Sequence, residues 1–432
     1  MRIIGIDIGT TTICGLLYDT EARTVLDQLT LPNVQPLNFS GVQDPAYILS
    51  SVETMLERLT ENADAIAFSS QMHGILYVDA EGKAVSPFYS WQNQWGKEIE
   101  ESLSERLGHN VYTGYGIVTH KAMRAVPDDA ARFCNIGDYV VMRLSGRTVP
   151  VSDTSIAASM GIWDVPNGKL TEAFPDDVRY FPEVAEEAAV LGYWRGIPVI
   201  TAMGDNQCSF LGSVLSLDED IVLSYGTSGQ ISFYSEEKEA FPGFERRPLG
   251  KGALQVAFSL TGGQSFQILA DFFQEVVSLC GLKLEKPMYR IMDAFEYREE
   301  DKGMRCEPFF LGERGNTLSM ASFSRITKVN FRPKAMTYAL MDGIVWELHR
   351  FYEGLPEEVK GGKVRLIGTG NGLRMNPHLR AITEEKYGKK LLLSEIKEGS
   401  CMGAVMNALV ALGEYPSYKD AVKAFAKGHL GS

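Results

Sequence analysis

Short apolar runs separated by hydroxyl-bearing turns open the chain and return near its middle. Ile3-Ile4-Gly5-Ile6-Asp7-Ile8 and residues 12–18 predict two strands joined through Gly9-Thr10-Thr11, with a third strand over 24–30. Ile221-Val222-Leu223-Ser224-Tyr225 and Gly229-Gln230-Ile231-Ser232 repeat the pattern around Gly226-Thr227-Ser228. Only the first copy keeps an acid, because Asp7 aligns with Ser224. After the first meander, Asp44 and Pro45 predict a helix start, and Ile48, Leu49, Val52, Met55, Leu56 and Leu59 recur at helical spacing on one face. A strand over 65–68 then leads into the polar turn Ser69-Ser70-Gln71-Met72-His73-Gly74, followed by a hairpin of residues 76–78 turning through 79–82.

Residues 85–195 are irregular and rich in aromatics, which predicts insertions that build a ligand pocket. A strand over 198–202 runs into Met203-Gly204-Asp205-Asn206-Gln207. In the second half, Gly262-Gly263 leads into a helix over 264–279, and residues 332–352 predict a long helix. A strand over 364–367 precedes Gly368-Thr369-Gly370-Asn371-Gly372, Asn376-Pro377 starts another helix, 391–393 is a strand, and a helix over 400–412 ends at Gly413. Alternating strands and helices read as α/β. A length of 432 residues suits two domains, with the expected boundary near residues 214–219, giving 1–216 and 217–432.

Charge narrows the partners. The chain has 55 acidic and 42 basic residues, net −13, and no long basic run, which argues against nucleic acid or an anionic membrane. A phosphate ligand stays compatible, since two Gly-Thr-Thr/Ser turns present backbone amides and hydroxyls to one point. Six scattered cysteines without a C-x-x-C pair, and six histidines without a paired spacing, predict reduced thiols and no structural zinc. The absence of a leader-like start or a long apolar run makes a cytoplasmic location the expectation.

Asp7-Ile8-Gly9-Thr10-Thr11, Ser70-Gln71-Met72-His73-Gly74, Gly204-Asp205-Asn206-Gln207, Gly226-Thr227-Ser228, Phe310-Leu311-Gly312-Glu313-Arg314 and the loop of residues 368–372 occur in that order. In this set the chain resembles the FGGY family of carbohydrate kinases, within the actin–hexokinase–Hsp70 superfamily, over almost its whole length. The resemblance implies two actin-like (ribonuclease H-like) domains around a central cleft, with a sugar and MgATP as ligands and a homodimer left open. Gln71-Met72-His73-Gly74, Trp91-Gln92 and residues 370–377 are most similar to sedoheptulokinases, with xylulokinases as near neighbours. The chain departs from the family by carrying Asn93 where an aspartate is common, and Gly315-Asn316-Thr317-Leu318 after Arg314.

By its place at a strand end, Asp205 reads equally as a general base or as the N-cap of the following helix. The resemblance implies the base, taking a proton as a sugar hydroxyl attacks the γ-phosphate. Asp7, otherwise an Asx-turn residue, is implied to hold Mg²⁺. Thr10, Thr11 and Thr12 are implied to meet the transferred phosphate. Gly226, Thr227, Gly262 and Gly263 would meet the rest of the triphosphate, and Gly368, Gly370, Asn371 and Asn376 the adenosine. Gln71, Met72, His73, Trp91 and Gln92 are implied to join Asp205 around the sugar, although a structural histidine and a core tryptophan are the plain alternatives. Glu313-Arg314 reads as a loop-orienting pair or a surface ion pair. A rival of another class is a sugar- and nucleotide-binding protein without turnover. Retention of both Asp7 and Asp205 speaks against it.

Overall fold

The computed structural model of the chain describes residues 1–34, 41–59, 62–313, 316, 318–394, 396 and 398–429, without the side chains of 427–429. The opening meander forms as its pattern requires: β1 (Arg2–Ile8), β2 (Thr12–Asp19) and β3 (Thr24–Pro32) pair antiparallel in sequence. Helix α1 (Pro45–Leu59) follows, with the Asp44 carboxylate accepting from the Ala46 amide at 2.9 Å. It buries Ile48, Val52, Met55, Leu56 and Leu59 against the sheet. Strand β4 (Ala65–Ser70) lies parallel to β1, with Asp7 opposite Ser69 and Ile8 opposite Ser70. It therefore runs two residues beyond the end expected from its apolar run, because the β1 ladder carries Ser69 and Ser70 with it. Helical segments over Glu100–Leu107, Gly116–Ala122 and Ile136–Leu144 then precede helix α2 (Thr154–Ser159). Strands β5 (Val190–Trp194), β6 (Ile197–Ile200) and β7 (Met203–Gly204) complete a sheet ordered β5-β6-β4-β1-β2-β3, with β7 alongside β4.

Helix α3 (Asp205–Leu211) links this sheet to a second one. Among the described residues the second sheet contains β8 (Asp220–Tyr225), β9 (Gly229–Ser235), β10 (Glu245–Leu249), β11 (Gly252–Ser259), β12 (Arg365–Thr369) and β13 (Leu391–Leu393), ordered β10-β11-β9-β8-β12-β13. The run β11-β9-β8-β12 has the same sense as β3-β2-β1-β4: two antiparallel pairings, then a parallel one. The repeat read from the two turns is thus a repeat of sheets. Asp7 and Ser224 are each the next-to-last residue of equivalent strands. Helices α4 (Gly263–Leu279) and α5 (Pro333–Glu353) cover the outer face of the second sheet. Short helix α6 (Gly370–Met375) starts where β12 ends, and α7 (Pro377–Tyr387) follows with Asn376 as its N-cap. The glycine-rich segment expected to be a loop is therefore a strand-to-helix junction.

Helices α8 (Gly399–Ala411) and α9 (Tyr418–His429) do not stay with the second sheet. Cys401, Met402, Val405 and Leu409 join Ile3, Leu16, Ala65 and Ala67 of the first sheet, Phe210 and Leu211 of α3, and Val222, Val256 and Ile367 of the second. This cluster lies between the sheets, with α3 and α8 packed across one another. A Cβ on Gly403 would stand 2.0 Å from the Cys208 carbonyl oxygen, and one on Gly212 2.0 Å from that of Gly399. Residues 76–78 pair mainly with Arg132–Cys134 and meet their expected hairpin partner only at Val78–Ala84. Among the described residues all six cysteines are unpaired, and no helix is long and apolar enough to cross a membrane.

Candidate active site

Register alone converges the two acids. Asp7, Ser69 and Met203 lie side by side at the carboxyl ends of parallel β1, β4 and β7, and Asp205 follows two residues beyond Met203. Carboxyl ends of parallel strands are where α/β sheets commonly bind ligands. Gly204 occupies the N-cap of α3, so Asp205 is its first helical residue rather than its cap. Burial pushes the Asp205 carboxyl up to about 7, the negative charge of Asp7 adds to the rise, and Arg247 opposes it. Burial likewise raises Asp7 to about 6, against the hydrogen bond that its Oδ1 accepts from Ser69 Oγ at 2.6 Å.

Asp205 lines a cavity of about 360 Å³ together with Met72, His73, Trp91, Tyr115 and Arg247. His73 holds a left-handed backbone, φ 75°, uncommon for a residue with a side chain and a form of strain that clusters at functional sites. Ser159 fixes it twice: its hydroxyl accepts from the His73 amide at 3.0 Å, and its carbonyl takes a hydrogen bond from Nδ1 at 2.8 Å. The imidazole packs on the Tyr115 ring, centroids 4.3 Å apart. Trp91 is 46% exposed, which disposes of the core-packing alternative. Its Nε1–H donates to Thr10 Oγ1 at 2.9 Å, joining the wall of this cavity to the first Gly-Thr-Thr turn.

That turn is held from several sides. The Gly9 amide donates to the Thr12 carbonyl at 3.0 Å, and Asn33 Nδ2 to the Gly9 carbonyl at 2.9 Å. Thr10 Oγ1 donates to Gln71 Oε1 at 3.2 Å, and Gln71 Nε2 to Gln43 at 2.9 Å. The second turn faces a larger cavity of about 780 Å³, whose walls include Gly226, Thr227, Gly263, Thr369, Gly370 and Asn371. Two close approaches build it. The Gly263 amide donates to the Gly226 carbonyl at 2.8 Å, and Gly370, with φ 84°, sits where a Cβ would be 2.6 Å from the Tyr225 carbonyl oxygen. A neighbouring cavity of about 380 Å³ is mostly apolar, with Phe266, Tyr289, Ile344, Met375 and Leu379 around Asn376, whose Nδ2 donates to Asp293 at 3.0 Å.

Residues 2–212 match the N-terminal domain of the FGGY family of carbohydrate kinases. The chain belongs to that family. Human sedoheptulokinase is 27% identical over 96% of this chain and 98% of its own length. Gluconokinase of Bacillus subtilis is 23% identical over 97% of this chain and 89% of its own length. Among solved structures, xylulose kinase from Rhodospirillum rubrum superposes with a TM-score of 0.84 at 19% identity, covering 98% of this chain and 92% of that one. The fold is therefore the two-domain, actin-like one of FGGY kinases.

Within this FGGY chain the expected residues divide by position. Met72, His73, Trp91 and Asp205 share the smaller cavity, while Gly226, Thr227, Gly263, Gly370 and Asn371 share the large one. Gly262 and Asn376 line the adjoining apolar cavity. Gln71 is buried and holds Thr10 from behind. Gln92 is exposed beside Trp91 and lines none of these cavities, and Thr11 and Thr12 are exposed on the turn. Gly368 packs beneath Leu373 and Leu391 rather than facing the large cavity. Glu313 pairs with Arg350 at 2.7 Å, while Arg314 lies outside the described residues. Residues outside the motifs also line the smaller cavity: Tyr112, Thr113 and Tyr115 from the first half, and Arg247 on β10 and Phe258 on β11 from the second sheet, the guanidinium 4.8 Å above the ring. No local motif surrounds the last two; Arg247 is set opposite Leu254 by the β10–β11 register and Phe258 opposite Gln230 by the β11–β9 register.

Proposed function

We propose that this protein transfers the γ-phosphoryl group of ATP to a hydroxyl of a ketose held in the Asp205 cavity, with sedoheptulose as the favoured acceptor and sedoheptulose 7-phosphate as product. The observation that carries the reading is a raised carboxylate, Asp205, lining a cavity beside Asp7 and the Thr10 turn. Phosphoryl transfer needs alignment, charge neutralisation and a base near the acceptor. Asp205 accepts the acceptor's proton as the oxygen attacks; Trp91 and His73 orient the sugar; Thr10, braced by Gln71 and Trp91, meets the transferred phosphate. Gly226, Thr227 and Gly263 present backbone to the polyphosphate, and the apolar cavity suits an adenine ring.

The donor set also suits Mg²⁺. Two neighbouring carboxylates carry hard oxygens, and Asp7 commits Oδ1 to Ser69 while Oδ2 has no partner among the described residues. Asp7 would hold the ion, which supplies charge neutralisation to the triphosphate when bound. The similarity to sedoheptulokinase supports the seven-carbon acceptor. Xylulose is the alternative within the same reaction. The test is ADP release from MgATP against sedoheptulose, xylulose, ribulose, fructose, gluconate and glycerol. The highest kcat/KM on sedoheptulose is expected. A different preferred sugar moves the specificity and keeps the reaction, and silence on all six overturns the kinase reading.

A further inference from the structure

The sugar cavity has a neighbour that no motif announced. A second cavity, of about 460 Å³, shares Met72, His73, Tyr115 and Arg247 with it and reaches Glu245 and Arg246. Arg247 thus stands in the partition, lining both spaces, whereas Glu245 faces only the second. Glu245 Oε2 accepts from Arg247 Nη2 at 2.9 Å, so the carboxylate backs the guanidinium on the side away from the sugar. Arg247 Nε and Nη1 meet no hydrogen-bond acceptor among the described residues. Phe258 supports the flat face, which fixes the fork without using a donor. Arg246, next along the strand, is spent on the Glu237 and Val165 carbonyls. Among the described residues the charged side chains that line the sugar cavity are then Asp205 and Arg247, with Asp7 beside the first and Glu245 behind the second.

We propose that Arg247, backed by Glu245, is the specificity-determining residue of the sugar site. It donates to hydroxyls of a neutral sugar, and its charge is already matched, so an aldonate carboxylate finds no net positive group to pair with. This rests on the sugar-kinase reading above. A site whose buried donors are built for hydroxyls discriminates strongly when the pairing is lost, and a close charge can move binding on the order of ten-fold.

Calorimetric binding of fructose and gluconate to the intact protein tests selection, with ADP release measured alongside. The native protein is expected to bind fructose at least ten-fold more tightly than gluconate. Glu245→Gln, which leaves the guanidinium unmatched, should narrow that ratio at least ten-fold. Arg247→Met should raise KM for the preferred ketose at least ten-fold with a smaller change in kcat, and Arg247→Lys should recover part of it. Equal native affinity for fructose and gluconate, or an unchanged ratio in folded Glu245→Gln, overturns the proposal. If either variant fails to fold by thermal melting, the native ratio decides. Binding with the expected selectivity but no ADP release would sink the kinase reading and leave the selector standing.

Discussion

Asp205 is asked to be charged in a place that disfavours charge. Burial and the neighbouring Asp7 lift its carboxyl to about 7, so in the ligand-free protein the proton is shed near neutrality. Two expectations follow from the sign of that shift. First, kcat/KM, which reports the free enzyme, should rise with pH along an acid limb centred near 7; a flat profile between pH 5.5 and 8 would count against Asp205 as the base. Second, a carboxyl whose folded value lies above its unfolded value stabilises at low pH and loses that contribution as pH rises through the folded value. Asp205→Asn should therefore lose at least ~100-fold in turnover yet melt a few degrees higher than the native protein at pH 8. That gain should vanish at pH 4, where both carry a neutral side chain. Trp91→Phe keeps the ring and removes the hydrogen bond to Thr10. It should lower kcat several-fold with little change in melting temperature, since Trp91 is half-exposed and the bond serves position more than stability.

Helices α3 and α8 set the element scale. Their carbonyls and glycines interlock at Gly212 and Gly403, where an added methyl has nowhere to go. Gly403→Ala should cost about 1–3 kcal/mol as an overpacked contact, read by denaturant unfolding, and should lower turnover because α3 begins at Asp205. An unchanged midpoint would mean that the crossing yields freely. Elements of this kind divide what the chain discloses from what it conceals. The meander, α1 and the first hydroxyl turn were legible because strand period, cap and helix period agree over residues 3–30 and 44–59, and the second turn because it repeats the first. Asp7 and Asp205 were legible as candidates because each stands at the carboxyl end of a strand or directly after it. Arg247 and Phe258 were not: each sits on an ordinary-looking strand, and only the pairing of β10 with β11, and of β11 with β9, brings them to the Asp205 cavity. Gln71 was read as a ligand contact because its motif is contiguous, whereas the fold spends its amide on Thr10 and Gln43.

At the scale of the whole molecule, the Asp205 cavity is shared. Met72, His73, Trp91 and Asp205 come from the side of the first sheet, and Arg247 and Phe258 from the second. Ligands that touch both sides favour the arrangement in which both sides are near, and closure keeps water from competing as acceptor. A ketose with a non-hydrolysable ATP analogue and Mg²⁺ should raise the melting temperature by more than the sum of the two separate effects. A merely additive shift would indicate that the halves respond independently. The central cluster has a consequence of another kind. Ile3, Leu16, Ala65 and Ala67 are covered by Cys401, Met402 and Val405, so one face of the earliest sheet waits for residues from the far end of the described chain. During synthesis that face lacks its α8 cover until residues 399–411 have been made, an exposure that favours aggregation of the incomplete chain. A fragment ending at residue 398 should accumulate as aggregate, however well its own strands are paired.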